Sequence, residues 1–318
     1  MAQVTVQPAK APVRMSVDAR GILRRVLRSK ECYFLLIPTF ALVLLFNYYP
    51  AVSALYHSLF EWNGANVNRF IGIENFVKMA SDPTIWLSMG NLAKLTLVSL
   101  IINLTFPLVA AALIFHLRHL RMAYFYRILF VVPMVVPSVV VLMIWRFIYH
   151  PNIGLLNEFL GVVGLGDLAR PWLGDFQLAL YAIVFIGFPW VAGIGTLIYL
   201  AGFQAIPTEL MDAAAIDGAS VWKRFWLVEL PLVVSQIKLI VILTVIGSFQ
   251  GFASIIVMTN GGPGTTTMVP GLYLYRNAMQ YGKMGYACAI GTVMFILTLI
   301  LTYLNTRYIR SSVEYGGA

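Results

Sequence analysis

The chain has 318 residues, of which 60% are hydrophobic and only 11% are charged. So few charges cannot cover the surface of a soluble domain of this length, and the composition therefore excludes a soluble globular protein and indicates a membrane protein. The net charge of +9 would suit a nucleic-acid-binding protein, but the positions of the basic residues exclude that function.

Six apolar stretches are long enough to cross a bilayer, because roughly 20 apolar residues in a helix span a hydrocarbon core of about 30 Å. Backbone polar groups must pair with one another inside lipid, so each stretch is expected to be helical. We predict an all-α polytopic membrane protein with six transmembrane helices. They lie at about 33–55, 92–115, 127–148, 178–203, 236–258 and 286–307.

The basic residues divide unequally between the two sides that these spans define. With the amino terminus in the cytoplasm, the inner segments carry fourteen Lys and Arg residues, seven of them within residues 1–32, and the longer outer loops carry five. This positive-inside bias places both termini in the cytoplasm. We predict a basic cytoplasmic segment (1–32), a six-helix transmembrane domain (33–310) and a cytoplasmic tail (311–318).

The sequence contains no motif of a known catalytic or nucleotide-binding site. The patterns G-x-x-x-x-G-K-[ST], H-E-x-x-H and G-x-S-x-G are absent. His116 and His119 lie three residues apart, but their short loop is basic and holds no carboxylate. We therefore interpret them as solvated or as neighbours of lipid headgroups rather than as metal ligands. We expect no catalytic residue, no metal site and no cofactor bound by this chain.

The spans hold uncharged polar groups and no acidic residue at central depth. Thr244, Ser248 and Gln250 can hydrogen-bond a neutral polar solute, whereas an ion-coupled carrier usually needs ionisable residues at depth. If the protein moves a solute, we expect the energy to come from elsewhere. A secondary carrier or channel, and a membrane scaffold or receptor subunit without a transport role, remain alternatives.

A polar stretch, AIPTELMDAAAIDGASVWKRFWLVELP (205–231), separates the fourth and fifth spans. Thr208 is expected to cap one short helix and Ser220 a second. Gly218 permits a sharp turn between them, and Pro231 marks the start of the fifth span. The pattern predicts two short helices that meet at an angle on the cytoplasmic surface. A simple connector is an equally good interpretation of the pattern alone.

The stretch DAAAIDGASVWKRFWLVELP (212–231) resembles the EAA motif of binding-protein-dependent ABC importer permeases, with Asp in place of the usual Glu and Val228 in place of the usual Ile. A second stretch, VMTNGGPGTTTMVPGLYLYRNAM (257–279), is similar to carbohydrate permeases of the maltose and glycerol-phosphate type. The resemblance covers nearly the whole chain. It implies the type I ABC importer transmembrane architecture, with a cytoplasmic coupling helix in residues 207–231, the 207–231 loop. The residues that we expect to couple this loop to an ATPase are Asp212, Ala213, Ala214, Asp217, Gly218, Leu230 and Pro231.

The resemblance also implies a division of labour in the bacterial plasma (inner) membrane. In such importers two separate ATPase subunits bind ATP and Mg and close on the coupling helix, so this chain would not be an enzyme. Its further partners would be membrane lipid, a second permease subunit of different sequence and an extracytoplasmic solute-binding protein. Nucleic acid is not an expected partner.

The same resemblance points to a path for a sugar or oligosaccharide. IGFPW (186–190) and GSFQGFASIIVMTNGGP (247–263) are similar to sugar-contacting segments of the maltose permease. An indole face suits the C–H side of a sugar, and hydroxyl and amide groups suit its hydroxyls. Trp190 can instead fill space, and the Gly-x-x-x-Gly pattern that starts at Gly247 can instead be a helix-packing motif. The residues that we expect along the path are Gly187, Trp190, Thr244, Ser248, Gln250 and Gly251.

Overall fold

A computed structural model of the chain describes residues 30–191 and 193–309. Most of the predicted basic segment, up to residue 29, and the whole predicted tail lie outside these residues. The predicted domain boundaries therefore stay predictions.

The described residues fall into two compact units, one that ends at Ser53 and one that begins at Ala54. Helix α1 (Lys30–Val43) begins the described part of the first unit and continues through one π-helical turn, Leu44–Tyr48. The chain stays helical in α2 (Tyr49–His57), whose last residues belong to the second unit.

A hairpin and a short helix follow in the second unit. Strands β1 (Phe60–Trp62) and β2 (Asn68–Phe70) pair in antiparallel orientation, and α3 (Glu74–Ala80) comes after them. The side chain of Asn75 fixes α3 against the hairpin, because its Nδ2 donates hydrogen bonds to the carbonyl oxygens of Ser58 and Phe60, both at 2.9 Å.

Helix α4 (Pro83–Phe115) has 33 residues. Asp82 fixes its start, because Asp82 Oδ1 accepts a hydrogen bond from the N–H of Thr84 at 2.9 Å. Pro83 suits the first turn, where a backbone N–H has no partner within the helix. At 1.5 Å per residue such a helix is about 50 Å long, which is more than a hydrocarbon core requires.

The remaining elements are helical and many of them are short. Between α4 and the 207–231 loop they are α5 (Leu120–Val131), a 3-10 turn (Val132–Val135), α6 (Ser138–Ile148), α7 (Leu155–Val162), a 3-10 turn (Gly166–Leu168), α8 (Ala179–Phe185) and α9 (Ile194–Gln204). From the loop onward they are α10 (Thr208–Ile216), α11 (Val221–Arg224), a π-helical turn (Phe225–Glu229), α12 (Leu230–Leu232), α13 (Val234–Gln250), α14 (Ala253–Met258), α15 (Pro270–Met279) and α16 (Met284–Tyr308).

The helical membrane fold is confirmed, but its spans are less regular than six straight helices. Three helices are long and apolar enough to cross a membrane: Tyr33–His57, α4 and α16. Two helix pairs qualify only together, α5 with α6, bent by 90°, and the stretch Val221–Leu232 with α13, bent by 64°. The described residues therefore contain three uninterrupted candidate spans, or five if each bent pair counts as one, instead of the six predicted.

The predicted fourth span, 178–203, is interrupted and forms the two short helices α8 and α9. Gly187 and Gly193 lie between them with φ angles of +86° and +118°, which end a helix and favour glycine. Pro189 lies between these glycines and has no backbone N–H to donate. Hydropathy alone marks the stretch as one continuous helix, and the helix-breaking residues interrupt that helix.

Three buried apolar clusters hold the second unit together. The first surrounds Tyr199 and Phe203, both with 0% exposure, and joins α4, α5, α9 and α13 to the 207–231 loop. The second surrounds Leu272 and joins α6, α8, α14 and α15. The third surrounds Ile290 and joins α4 to α16. Helix α4 contributes to all three clusters, to the second through Leu95, and is therefore the element around which the others pack.

We predict that Gly285→Ala destabilises the protein, because a Cβ at Gly285 would collide with the carbonyl oxygen of Phe60 in β1. Overpacking of this kind typically costs about 1–3 kcal/mol, which should lower the midpoint of thermal unfolding in detergent. Gly90→Ala is the matched control, because Gly90 also lies in a long helix and a Cβ added there would have open space around it. Unfolding of the Gly285→Ala protein at the wild-type temperature would contradict this packing.

Candidate functional site

The 207–231 loop begins with α10. The expectation that Thr208 caps this helix is wrong: Pro207 occupies the N-cap position, Thr208 is the first helical residue, and the N-cap makes no side-chain hydrogen bond. Glu209 lies in the first turn, where its negative charge is stabilised by the positive end of the helix dipole.

A Schellman motif ends α10 and turns the chain at Gly218. The N–H of Gly218 donates to the carbonyl of Ala215 at 3.1 Å, and the N–H of Ala219 donates to the carbonyl of Ala214 at 2.9 Å, the pair of bonds that defines the motif. Gly218 has a φ of +73°, which a residue with a Cβ rarely adopts. The predicted sharp turn is confirmed.

The second arm of the loop begins at Ser220, which caps α11 as predicted. Its Oγ accepts a hydrogen bond from the N–H of Lys223 at 3.4 Å. The helical path then continues through the π-helical turn to Leu232, and α13 leaves it at 64°. Pro231 lies directly before this bend, close to the predicted start of the fifth span.

Most of the predicted coupling residues lie on the surface of the loop. Large apolar side chains are exposed next to them, Ile216 by 86% and Trp222 by 74%. An exposed apolar surface of this kind marks a contact with another protein or with the membrane. The exposed members of the predicted set are Asp212, Ala213, Asp217, Gly218 and Pro231, and the half-buried members are Ala214 and Leu230.

A fully buried carboxylate, Glu229, lies where the loop meets the end of α4. Its Oε1 accepts hydrogen bonds from Arg224 Nε at 2.9 Å and from His116 Nε2 at 3.1 Å. A buried carboxylate that loses such a partner typically costs about 3–5 kcal/mol of stability. The three side chains therefore bind the second arm of the loop to the residue that follows α4.

The interpretation of His116 as a solvated residue or a lipid neighbour is wrong, because its ring contacts Glu229. The hydrogen bond that the His116 ring donates to Glu229 raises the pKa of His116 above its usual range, while partial burial lowers it. His119 is exposed. In residues 30–191 and 193–309, no three His, Cys, Asp or Glu side chains are grouped so that they could hold a metal ion.

Sequence reasoning missed the Glu229 cluster because its members are distant in the chain. His116 and Glu229 are 113 positions apart. One signal was available: Glu229 is an acid within the apolar run FWLVELP, and an acid in such a run is rarely buried without a partner.

A cavity of about 620 Å³ lies between α4, α8, the break at residues 186–193, α13 and α14. Five of the six residues predicted along the path line it: Gly187, Trp190, Thr244, Ser248 and Gly251. Gln250 does not line it; this residue ends α13 and its side chain is exposed. We name this space the polar cavity.

The polar groups of this cavity are hydroxyls and one amide. Asn103 Nδ2 donates a hydrogen bond to Thr244 Oγ1 at 3.2 Å, and the hydroxyls of Ser99, Ser248 and Ser254 complete the polar lining. None of the described residues that line the cavity is ionisable. The cavity therefore offers uncharged donors and acceptors between apolar walls.

Trp190 has a strained backbone and a well-packed side chain. Its φ of +56° is unusual for a residue other than glycine, and such outliers typically cost about 1–3 kcal/mol and cluster at functional sites. The ring makes edge contacts with Phe106, Phe185 and Phe188 at centroid distances of 4.9, 5.4 and 5.1 Å. Its Nε1 donates to the carbonyl of Ile186 at 3.2 Å. The aromatic contacts fix the indole at the edge of the polar cavity.

Comparison with known proteins identifies relatives over most of the chain. Residues 104–314 match the family described as "Binding-protein-dependent transport system inner membrane component". The probable ABC transporter permease protein YurN of Bacillus subtilis is 32% identical over 283 residues, which cover 89% of this chain and 97% of the relative. The diacetylchitobiose uptake system permease protein NgcF of Streptomyces coelicolor is 31% identical over 274 residues, which cover 83% of this chain and 78% of the relative.

A solved structure shares the fold. A chain of the bacterial alginate ABC transporter, solved in complex with an alginate pentasaccharide-bound periplasmic protein, superimposes with a TM-score of 0.81 at 22% identity. The match covers 92% of this chain and 99% of that one. The resemblance of residues 212–231 to the permease signature is thereby confirmed at the level of the family. From these matches the chain belongs to the inner membrane components of binding-protein-dependent transport systems, the permeases of ABC transporters.

Proposed function

We propose that the chain translocates a sugar or oligosaccharide as the membrane-spanning subunit of an ATP-driven importer. The polar cavity is the observation that carries this proposal. Uncharged hydroxyl and amide groups beside an indole face suit a solute with many hydroxyls. The names of two similar proteins support the cargo class, since NgcF is a diacetylchitobiose permease and the solved transporter was bound to a protein that holds an alginate pentasaccharide.

The energy would reach this chain through the 207–231 loop. Two separate ATPase subunits, which bind ATP and Mg, are the partners that we propose for the exposed apolar surface around Ile216 and Trp222. The Schellman motif at Gly218 sets a fixed angle between the two arms, so a push on one arm moves the other. Asp212, Ala213 and Asp217 then have mechanical roles, and this chain is not the enzyme.

The family supports the remaining partners, and the charge distribution supports the orientation of the chain. A second permease subunit of different sequence would complete the path through the membrane, and an extracytoplasmic solute-binding protein would deliver the cargo. The positive-inside bias supports cytoplasmic termini, which puts the 207–231 loop on the side where ATP is available.

We predict that Gly218→Trp and Asp212→Lys uncouple ATP hydrolysis from uptake. A side chain at Gly218 strains a backbone with a φ of +73°, and a lysine at position 212 reverses the charge at an exposed position of the loop. The test sugar is one that the associated binding protein binds in a ligand screen. Uptake of this sugar should fall at least tenfold in both variants, while the permease still folds and inserts. Uptake and ATPase activity of the purified complex are the two measurements.

Gly164→Trp is the matched control for the glycine variant. Gly164 also has a positive φ, +79°, and open space at its Cβ position, but it lies outside the 207–231 loop. Its uptake should stay within twofold of wild type. If both Gly218→Trp and Asp212→Lys retain full uptake, the loop does not couple this chain to an ATPase.

We predict that Gly247→Leu blocks the polar cavity. Gly247 lines the cavity and has nothing within 4 Å of its Cβ position, so the first carbon of a new side chain meets no atom, and a leucine there occupies space that the cargo needs. Uptake should fall at least tenfold at an unchanged unfolding temperature. Gly161→Leu, at a helical glycine with equally open surroundings in α7, should leave uptake nearly unchanged. Wild-type uptake by the Gly247→Leu protein would show that the cargo takes another path.

A further inference from the structure

The contacts between the 207–231 loop and the helices behind it are of two kinds. Met211, Phe225 and Leu230 pack against the apolar cluster around Phe203. Apolar contacts of this kind have no preferred direction, so they allow one surface to slide over another. The second kind is the charged hydrogen-bonding group of Arg224, Glu229 and His116, which requires fixed positions.

Glu229 joins two elements that are distant in the chain. Arg224 belongs to the same helical stretch of the loop as Glu229, five positions earlier. His116 directly follows α4 and is 113 positions away. Both donors meet the same oxygen, Oε1, at 2.9 and 3.1 Å, and the Glu229 side chain has 0% exposure. The carboxylate is thus a bridge between the loop and α4, shielded from water.

The geometry of the His116 ring shows which charge it carries. Its Nε2 faces the Glu229 carboxylate, and its Nδ1 lies 2.8 Å from the carbonyl oxygen of Ala112. A carbonyl and a carboxylate oxygen only accept, so both ring nitrogens must donate, which requires the imidazolium form. Charge-assisted hydrogen bonds of this kind are shorter and stronger than neutral ones. The imidazolium also remains fixed to the last turn of α4 through Ala112.

Helix α4 connects this bridge to the polar cavity. Ser99 and Asn103 lie on α4 and line the cavity. At 1.5 Å of rise per residue, Asn103 is about 20 Å from His116 along the helix and Ser99 about 26 Å. A displacement of His116 along the helix axis would therefore be transmitted to the cavity wall.

We propose that Glu229 is a positioning residue that transmits movement of the 207–231 loop to α4 through its bridge to cationic His116. This inference rests on the proposed role of the loop in coupling. Glu229 lies outside the Asp-Ala-Ala and Gly positions of the motif. Its side chain is at the boundary between the loop and α4, the helix that lines the cavity.

The experiment uses the whole complex, purified through a tag on this chain, with Ser248→Cys as a reporter in the polar cavity. N-ethylmaleimide labelling of the reporter peptide is followed by mass spectrometry, without nucleotide and after trapping with ATP and vanadate. In the otherwise wild-type complex, trapping should change the labelling rate at least fivefold. With Glu229→Gln, and separately with His116→Gln, the change should fall below twofold although ATP still binds, because the bridge loses its charge.

Asp82→Asn is the matched control. Asp82 is a carboxylate at the opposite end of α4 and accepts hydrogen bonds from the hydroxyls of Tyr273 and Tyr286 at 2.6 and 2.8 Å. Its loss should lower stability but leave the nucleotide response intact. A role of Glu229 in stability alone would reduce the amount of complex and leave the response of the remaining complex unchanged.

The proposal is overturned if Glu229→Gln and His116→Gln both keep the full change in labelling rate on nucleotide trapping. It is also overturned if Asp82→Asn loses this change to the same extent as they do. If the Glu229→Gln complex does not assemble, the His116→Gln complex decides alone. If nucleotide trapping does not change labelling in the otherwise wild-type complex, the proposed coupling function itself is refuted. A change that persists in the variants refutes only the role of Glu229.

Discussion

A chain that crosses hydrocarbon must pair its own backbone polar groups, and the architecture of this protein depends on that constraint. Irregular backbone is tolerated at membrane depth only where protein buries it or where it borders a water-filled cavity. The break at residues 186–193 obeys this rule, because it borders the polar cavity and is packed against the aromatic rings around Trp190. The same interruption that removes a continuous span thus creates the space that a polar solute can occupy.

Helix α4 connects the two candidate sites. It lines the polar cavity through Asn103, packs in all three apolar clusters and ends beside the 207–231 loop, where His116 follows it. Glu229 is costly to bury, since the desolvation of a carboxylate is recovered only through close and well-placed partners. At the junction of loop and helix, Glu229 therefore requires Arg224 and His116 to occupy fixed positions, which apolar packing alone would not require.

The features that the sequence predicts best have local causes. Gly218 and Ser220 act on backbone groups within a few positions, and long apolar runs identify α4 and α16 because the width of the bilayer sets their length. The interruption of the predicted fourth span was harder to predict from the sequence, because hydropathy averages over Gly187 and Pro189. The Glu229 bridge and the exposed position of Gln250 depend on how distant segments pack, which no local pattern contains. Contacts between residues more than 100 positions apart, such as His116 and Glu229, could be identified only from the structure.

We expect this permease to move its cargo only when other proteins supply the energy and deliver the cargo. The most direct measurement is uptake into proteoliposomes that contain this chain with its partner permease and ATPases, in the presence of the solute-binding protein. Uptake should require both ATP hydrolysis and the binding protein and should not change with proton or sodium gradients. Uptake by this chain alone, driven by an ion gradient without ATP, would show instead that the chain is a secondary carrier.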